Sequence, residues 1–384
     1  VANASDAESR QTPSPLMGAG VARPKIRRYF LRFSVLLWKG EYRIMEWIST
    51  ERVEERMGDT VQIMITMVVY MAAVIGIGVA FARKANANSE AYFLGGRTLG
   101  PWVTAMSAEA SDMSGWLLMG LPGVAYWCGI ADAAWTAIGL AAGTYINWLI
   151  TSRRLRRYSE KAGNAITLPE FFSNRFHEKS KVVMTVSALF ILIFFTVYAA
   201  SCLVTCGKLF STLFGFDYVP MMIVGAIFVL VYTIIGGFLA ESVSDFMQAI
   251  VMIAALIVIV VTGTVAAGGL GAVLDNARSI PGFLEFFGVA TPVTVDGVQQ
   301  AANGVPQFGA AGSYGFLSVI SAVAWGLGYF GMPQVLLRFM AIRSERELTR
   351  SRRIATVWVV ISLTVAVFIG VVGRVLYPAA LTTD

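Results

Sequence analysis

Apolar residues dominate stretches of spanning length at 61–82, 102–127, 131–150, 182–212, 219–240, 243–268, 315–341 and 354–377. Each reaches about the 20 residues that a helix needs to cross a ~30 Å hydrocarbon core, so the pattern predicts eight membrane helices. With the 61–82 helix starting outside, the inside connections are 83–101, 151–181, 241–242 and 342–353. The outside ones are 128–130, 213–218, 269–314 and the tail, and a short helix is expected in the long outside loop around 281–287.

Basic residues fix that orientation. The inside segments carry Arg83, Lys84 and Arg97, then Arg153, Arg154, Arg156, Arg157, Lys161, Arg175, Lys179 and Lys181, then Arg343, Arg346, Arg350, Arg352 and Arg353. The outside segments after residue 60 carry Arg278 alone, and an excess of Lys and Arg marks cytoplasmic loops. Residues 1–56 run against this order, with ten basic residues on the side that should be poor in them. Their apolar patch at 29–48 is interrupted by Arg32, Lys39, Glu41, Arg43 and Glu46, which is too charged to span. Met57 is therefore the expected natural start, with 1–56 a disordered or non-native extension and 57–384 the functional domain.

Composition agrees with lipid as the solvent. Of 384 residues 56% are hydrophobic and 14% charged, more apolar surface than ordinary soluble domains can bury. The net charge of +6 follows from the loop bias, so nucleic acid is not an expected partner. Cys128, Cys202 and Cys206 form no CxxC pair, which argues against a disulfide scaffold or a zinc centre. No HExxH or GxSxG stretch points to an intramembrane enzyme, and no organic cofactor is implied.

Two of the predicted helices look broken. The 102–127 helix holds Glu109, Ser111, Asp112, Ser114 and Gly115 at mid-span. A charge at the bilayer centre costs roughly 2.5–3.5 kcal/mol even on the lenient insertion scale, so such an acid usually faces a polar cavity. Gly115 and the serines would let the backbone leave helical geometry, freeing carbonyls for a cation. Function is favoured over structure for Asp112 and is evenly balanced for Glu109. The 315–341 helix packs Gly326, Gly328, Gly331 and Pro333 into the run from Trp325, a composition that a regular lipid-facing helix avoids. Two broken helices separated by four intact ones are the mark of a secondary transporter with a midplane site. Asp245 reads equally well as a solvated helix-start acid or as a functional one, and Tyr198 as a core tyrosine.

These stretches resemble the sodium:solute symporter family, and within it the proline-carrying branch. The resemblance is carried by Tyr92 to Pro101 (YFLGGRTLGP), Ser107 to Gly123 (SAEASDMSGWLLMGLPG), Ile146-Asn147-Trp148, Thr167 to Phe176 (TLPEFFSNRF), Gly236 to Ala240 (GGFLA), Trp325 to Pro333, and Arg338-Phe339-Met340. It implies an all-α integral membrane protein with a LeuT-type five-plus-five inverted repeat behind one extra helix (61–82). The first repeat is then 102–268, and 315–377 supplies the first two helices of the second, so the chain is expected to stop before its fold is complete. It implies sodium as the coupling ion, proline or a similar small solute as substrate, and a multi-pass protein of the cell inner membrane. Ala110 and Met113 would give carbonyls to sodium, with Asp112 and Ser114 supporting. Trp116, Gly120, Tyr198, Trp325, Tyr329 and Pro333 would line or gate the substrate site, and Arg97 and Asp245 match positions tied to coupling on the inside face. A membrane sensor built on a transporter-like domain is the competing class, and a proton acting through Asp112 the competing ion.

Overall fold

The computed structural model describes residues 43–302 and 305–378, in two compact units that divide between Thr66 and Met67. The described part of the first unit, residues 43–66, is helical. Of the segment 1–56, residues 1–42 lie outside the described residues and 43–56 are helix.

Among the described residues there are thirteen α-helices. In chain order they are α1 (Arg43–Ala85), α2 (Ser89–Leu94), α3 (Pro101–Gly115), α4 (Leu121–Cys128), α5 (Ile130–Ile150), α6 (Ser152–Lys161), α7 (Leu168–Arg175), α8 (Val182–Phe214), α9 (Tyr218–Ala266), α10 (Leu270–Ser279), α11 (Phe316–Ala324), α12 (Pro333–Ala341) and α13 (Leu348–Leu376). A π-helical turn, Trp116–Gly120, joins α3 to α4, and a 3-10 segment, Trp325–Gly331, follows α11.

Four helices are long and apolar enough to cross a membrane, Val61–Ala85, Val182–Phe214, Tyr218–Ala266 and Glu345–Leu376. Phe316–Gly331 and Pro333–Ala341, bent by 48°, make a fifth if counted as one span. The expected 102–127 span fails that criterion because it is divided into pieces of 15, 5 and 8 residues. The expected 131–150 span forms one 21-residue helix, but Asp132, Thr136, Thr144 and Asn147 dilute its apolar character.

The expected loop at 241–242 does not exist. The two helices it was to join meet instead at a kink within α9, at Gly237, with φ 57 and ψ −163. Only glycine enters that region without strain, and a Cβ there would lie 2.8 Å from the Tyr92 carbonyl oxygen. The helix of the long outside loop is α10, earlier than the expected 281–287, where the chain makes turns. Three two-stranded antiparallel ribbons complete that loop, β1 (Gly288–Val289) with β6 (Gly312–Ser313), β2 (Thr294–Val295) with β3 (Val298–Gln299), and β4 (Ala301–Ala302) with β5 (Val305–Pro306).

Burial follows helical spacing where a helix faces protein. In α13 the buried positions Ser351, Ala355, Trp358, Val359, Ser362, Leu363, Ala366 and Gly370 recur every three or four residues, one stripe turned to the core. Gly207 is the one buried residue of α8, which exposes Val186, Leu192, Phe194 and Val197. An apolar face so open is unfavourable in water, so hydrocarbon is the medium that suits it. The middle core joins Met113, Leu117, Leu121, Leu140, Tyr329, Trp358 and Leu363, and the functional candidates lie along its edge.

Candidate functional site

The first break opens at Ser114, which takes φ 47 and ψ −167 inside α3. Positive φ on a residue with a Cβ costs on the order of 1–3 kcal/mol and persists only where neighbours hold it. The Trp116 amide donates to Ser114 Oγ at 3.3 Å, and the Tyr198 hydroxyl of α8 reaches the Ser111 carbonyl at 3.4 Å. The π-helical turn that follows departs from the regular i→i−4 ladder, as such turns do at functional sites. The Met113 carbonyl accepts from the Trp116 amide, which leaves that oxygen a further lone pair.

The second break is the 3-10 segment Trp325–Gly331, ended by Met332 in extended conformation before Pro333 starts α12. Small residues seat it against α5. A Cβ on Gly326 would lie 2.1 Å from the Gly139 carbonyl oxygen, and one on Gly143 would lie 2.3 Å from the Gly326 carbonyl oxygen. Asn147 Nδ2 donates to the Tyr329 carbonyl at 3.0 Å, so a buried side chain satisfies backbone that the break releases.

Both breaks face one cavity of about 140 Å³, lined by Asp112, Met113, Ser114, Trp116, Leu140, Tyr198, Trp325, Gly328, Tyr329 and Met332. Asp112 and Tyr329, one from each broken helix, both line it. The Trp116 and Trp325 rings meet edge to face with centroids 4.8 Å apart. Trp325 also lines a second pocket with Asp132, Thr136 and Tyr314, so it borders both spaces. One carboxylate, one serine and backbone oxygens form a hard-oxygen donor set, which suits a small cation, and the aromatic walls suit the apolar body of a small solute.

Seven of the sequence-derived candidates therefore converge: Asp112, Met113, Ser114, Trp116, Tyr198, Trp325 and Tyr329. Ala110 is half-buried on α3, one turn before Ser114. Gly120 does not line the cavity, because the Trp116 indole occupies the space beside it and a Cβ there would lie 2.4 Å from the ring. Pro333 is also absent from the lining; its neighbour Met332 is present. Glu109 is buried and accepts from Trp148 Nε1 at 3.1 Å.

Arg97 and Asp245 lie elsewhere, in two buried polar clusters. Arg97 donates to Asn164 Oδ1 at 3.1 Å, Ser159 Oγ at 3.1 Å, the Met340 carbonyl at 2.8 Å and the Ala165 carbonyl at 3.0 Å, and pairs with Glu90 at 3.3 Å. Burial lowers its guanidinium pKa from the ordinary value, and the nearby Arg156 adds to that. Asp245 is no solvated helix-start acid. Its Oδ2 accepts from Ser107 Oγ at 2.8 Å, Ser111 Oγ at 2.9 Å and Arg338 Nη2 at 2.9 Å. Sequence reasoning gave Arg338 no role, although a lone arginine inside the apolar run VLLRFMA is itself a signal.

The model of the sodium:solute symporter family matches residues 92–383. Sodium/proline symporters of Staphylococcus aureus strains USA300 / TCH1516 and JH9 are each 40% identical over 318 residues, covering 83% of this chain and 57% of their own length. The chain thus spans a little over half the length of these curated relatives. A solved structure of a Na+-coupled sialic acid symporter, in its substrate-bound outward-open state, superposes with a TM-score of 0.63 at 16% identity, covering 80% of this chain and 59% of that one.

Proposed function

Because this chain belongs to the sodium:solute symporter family, we propose that it serves sodium-driven uptake of proline across the cell inner membrane. The observation that carries the reading is the meeting of two broken helices at one small cavity that holds a single carboxylate, Asp112. The 40% identity to sodium/proline symporters supports proline as the solute.

In this reading the two breaks belong to corresponding helices of a LeuT-type inverted repeat, 102–268 and 315–377, preceded by the extra helix 61–82. The carbonyls of Ala110 and Met113, with Asp112 and Ser114, hold sodium. Trp116, Tyr198, Trp325 and Tyr329 enclose the substrate. Gly120 makes room for the Trp116 indole, and Pro333 sets the exit from the second break. Arg97 and Asp245 serve coupling on the inside face. Sodium needs no soft ligand, and neutral oxygens with one carboxylate meet its demand. Ordering the break at Ser114 around the ion presents the wall formed by Tyr198 and Trp116 to the solute, so each ligand raises the affinity of the other.

Uptake of labelled proline into vesicles, with and without a sodium gradient, tests the reading. Uptake should require sodium and be competed by proline above other small amino or carboxylic acids. Equal uptake with potassium or a proton gradient in its place would reject sodium coupling. Tyr198→Phe removes the hydroxyl that reaches the Ser111 carbonyl. That bond is long, so a contribution of about 0.5–1.5 kcal/mol is expected, seen as a two- to tenfold rise in the half-saturating proline concentration at fixed sodium.

A further inference from the structure

Arg338 is a buried charge that the ion and substrate site leaves unused. It is 1% exposed, and every polar atom of its guanidinium is bonded. Nε donates to Ser107 Oγ at 3.0 Å, Nη1 to the Gln334 carbonyl at 2.9 Å, and Nη2 to Glu241 Oε1 at 3.0 Å and Asp245 Oδ2 at 2.9 Å. Its carbon stands over the Phe238 ring at 5.0 Å. One side chain of α12 therefore joins α3 and the segment of α9 just after its kink.

Stability alone is a weak reason for such a cluster. A buried ion pair is often matched or bettered by well-packed apolar residues, and at membrane depth apolar residues are the cheap choice. Charged partners suit a contact that opens into water and closes again, because each partner can be hydrated when released. The position agrees. Arg338 is one turn from the end of α12 and Asp245 two turns past the kink, nearer the basic loops than Ser114 or Met332 is. The cluster thus lies between the central cavity and the side those loops mark as cytoplasmic. Ser111 links the two levels: its hydroxyl proton is shared between the Ser107 carbonyl at 2.8 Å and Asp245 Oδ2 at 2.9 Å, while its carbonyl accepts from Tyr198 in the cavity wall.

We propose that Arg338 is a positioning residue for transport, a clamp that ties α3 to α9 and α12 beneath the cavity and closes it toward the cytoplasm while the break at Ser114 is ordered around its ion. The proposal rests on the symport reading. An ion that fixes the break fixes Ser111, and Ser111 holds Asp245 in place for Arg338.

The test uses a variant without native cysteines that carries Met332→Cys in the cavity wall, in inside-out vesicles, labelled by a membrane-impermeant thiol reagent. Sodium should slow labelling in this parent. Adding Arg338→Gln should speed labelling about tenfold, the coupling common between directly bonded residues, and should abolish the effect of sodium. Because Arg338→Gln strands a buried carboxylate and can lower yield, Arg338→Gln with Asp245→Asn is measured beside it. The pair should label as fast as the single variant and no faster. Labelling that stays slow and sodium-sensitive in both variants would reduce Arg338 to packing and overturn the clamp, leaving the symport reading intact. Labelling indifferent to sodium in the parent itself would overturn both.

Discussion

Asp112→Asn should weaken apparent sodium affinity by about ten- to a hundredfold while protein yield and membrane insertion stay at the parental level. Asparagine has the shape of aspartate and keeps a polar oxygen in the cavity that Asp112 lines with Tyr329. Removing the charge also relieves desolvation cost at membrane depth. The fold therefore loses little. The ion loses its one carboxylate among the residues lining the cavity, and a direct charge contact in a partly dehydrated site is worth on the order of 1–3 kcal/mol. Proline affinity at fixed sodium should fall with it and recover partly at higher sodium. Sodium titration of proline binding checks both. A role for Asp112 in folding alone would show as reduced yield with an unchanged sodium dependence of the surviving molecules.

Gly326→Val should be the most damaging substitution on the apolar side of the site. Its Cβ would fall 2.1 Å from the Gly139 carbonyl oxygen and 3.1 Å from the Gly143 Cα, and both obstacles are backbone, which cannot rotate aside. Helix α5 and the 3-10 segment must then separate. Overpacking of this kind typically costs about 1–3 kcal/mol, and here it also strains the Asn147 bond to the Tyr329 carbonyl. A lower thermal midpoint in detergent, together with loss of proline binding, is the expected result. Gly331→Ala is the control, since a Cβ at Gly331 meets nothing within 4 Å and Gly331 does not line the cavity. Equal damage from both would show that the close approach at Gly326 is not what matters.

Both breaks were legible in the sequence because their residues contradict the span around them. Carboxylates and hydroxyls at 109–114, and three glycines with a proline at 326–333, have no place in an unbroken lipid-facing helix. The break points themselves, Ser114 and the 3-10 segment from Trp325, fall inside those runs. The junction in α9 was misplaced because Glu241, Ser242 and Ser244 resemble a loop, whereas the backbone turns at Gly237 and the polar residues after it enter the interior. The loop helix was misplaced for a related reason: Leu270–Ser279 is a weakly apolar, alanine- and glycine-containing stretch with no strong start signal.

Arg338 and its partners were hidden for another reason. Ser107 and Asp245 lie 231 and 93 positions away along the chain, and helical periodicity carries no information across such distances. Asp245 consequently read equally well as a solvated acid or a functional one, and the arginine bonded to it passed as one more residue of an apolar span. Gly120 and Pro333 show the converse. The sequence motif marks them, yet neither lines the cavity, where Trp116 and Met332 stand instead, and a motif match cannot tell direct contact from proximity.

The central claim, that sodium and proline occupy one paired break and strengthen each other there, is tested most directly by equilibrium binding to the purified protein. Proline affinity is measured across a series of sodium concentrations, and sodium affinity across a series of proline concentrations. Linkage requires one coupling factor, so the fold-gain in proline affinity from empty to saturating sodium should equal the fold-gain in sodium affinity from empty to saturating proline. Proline binding that is indifferent to sodium would contradict the account.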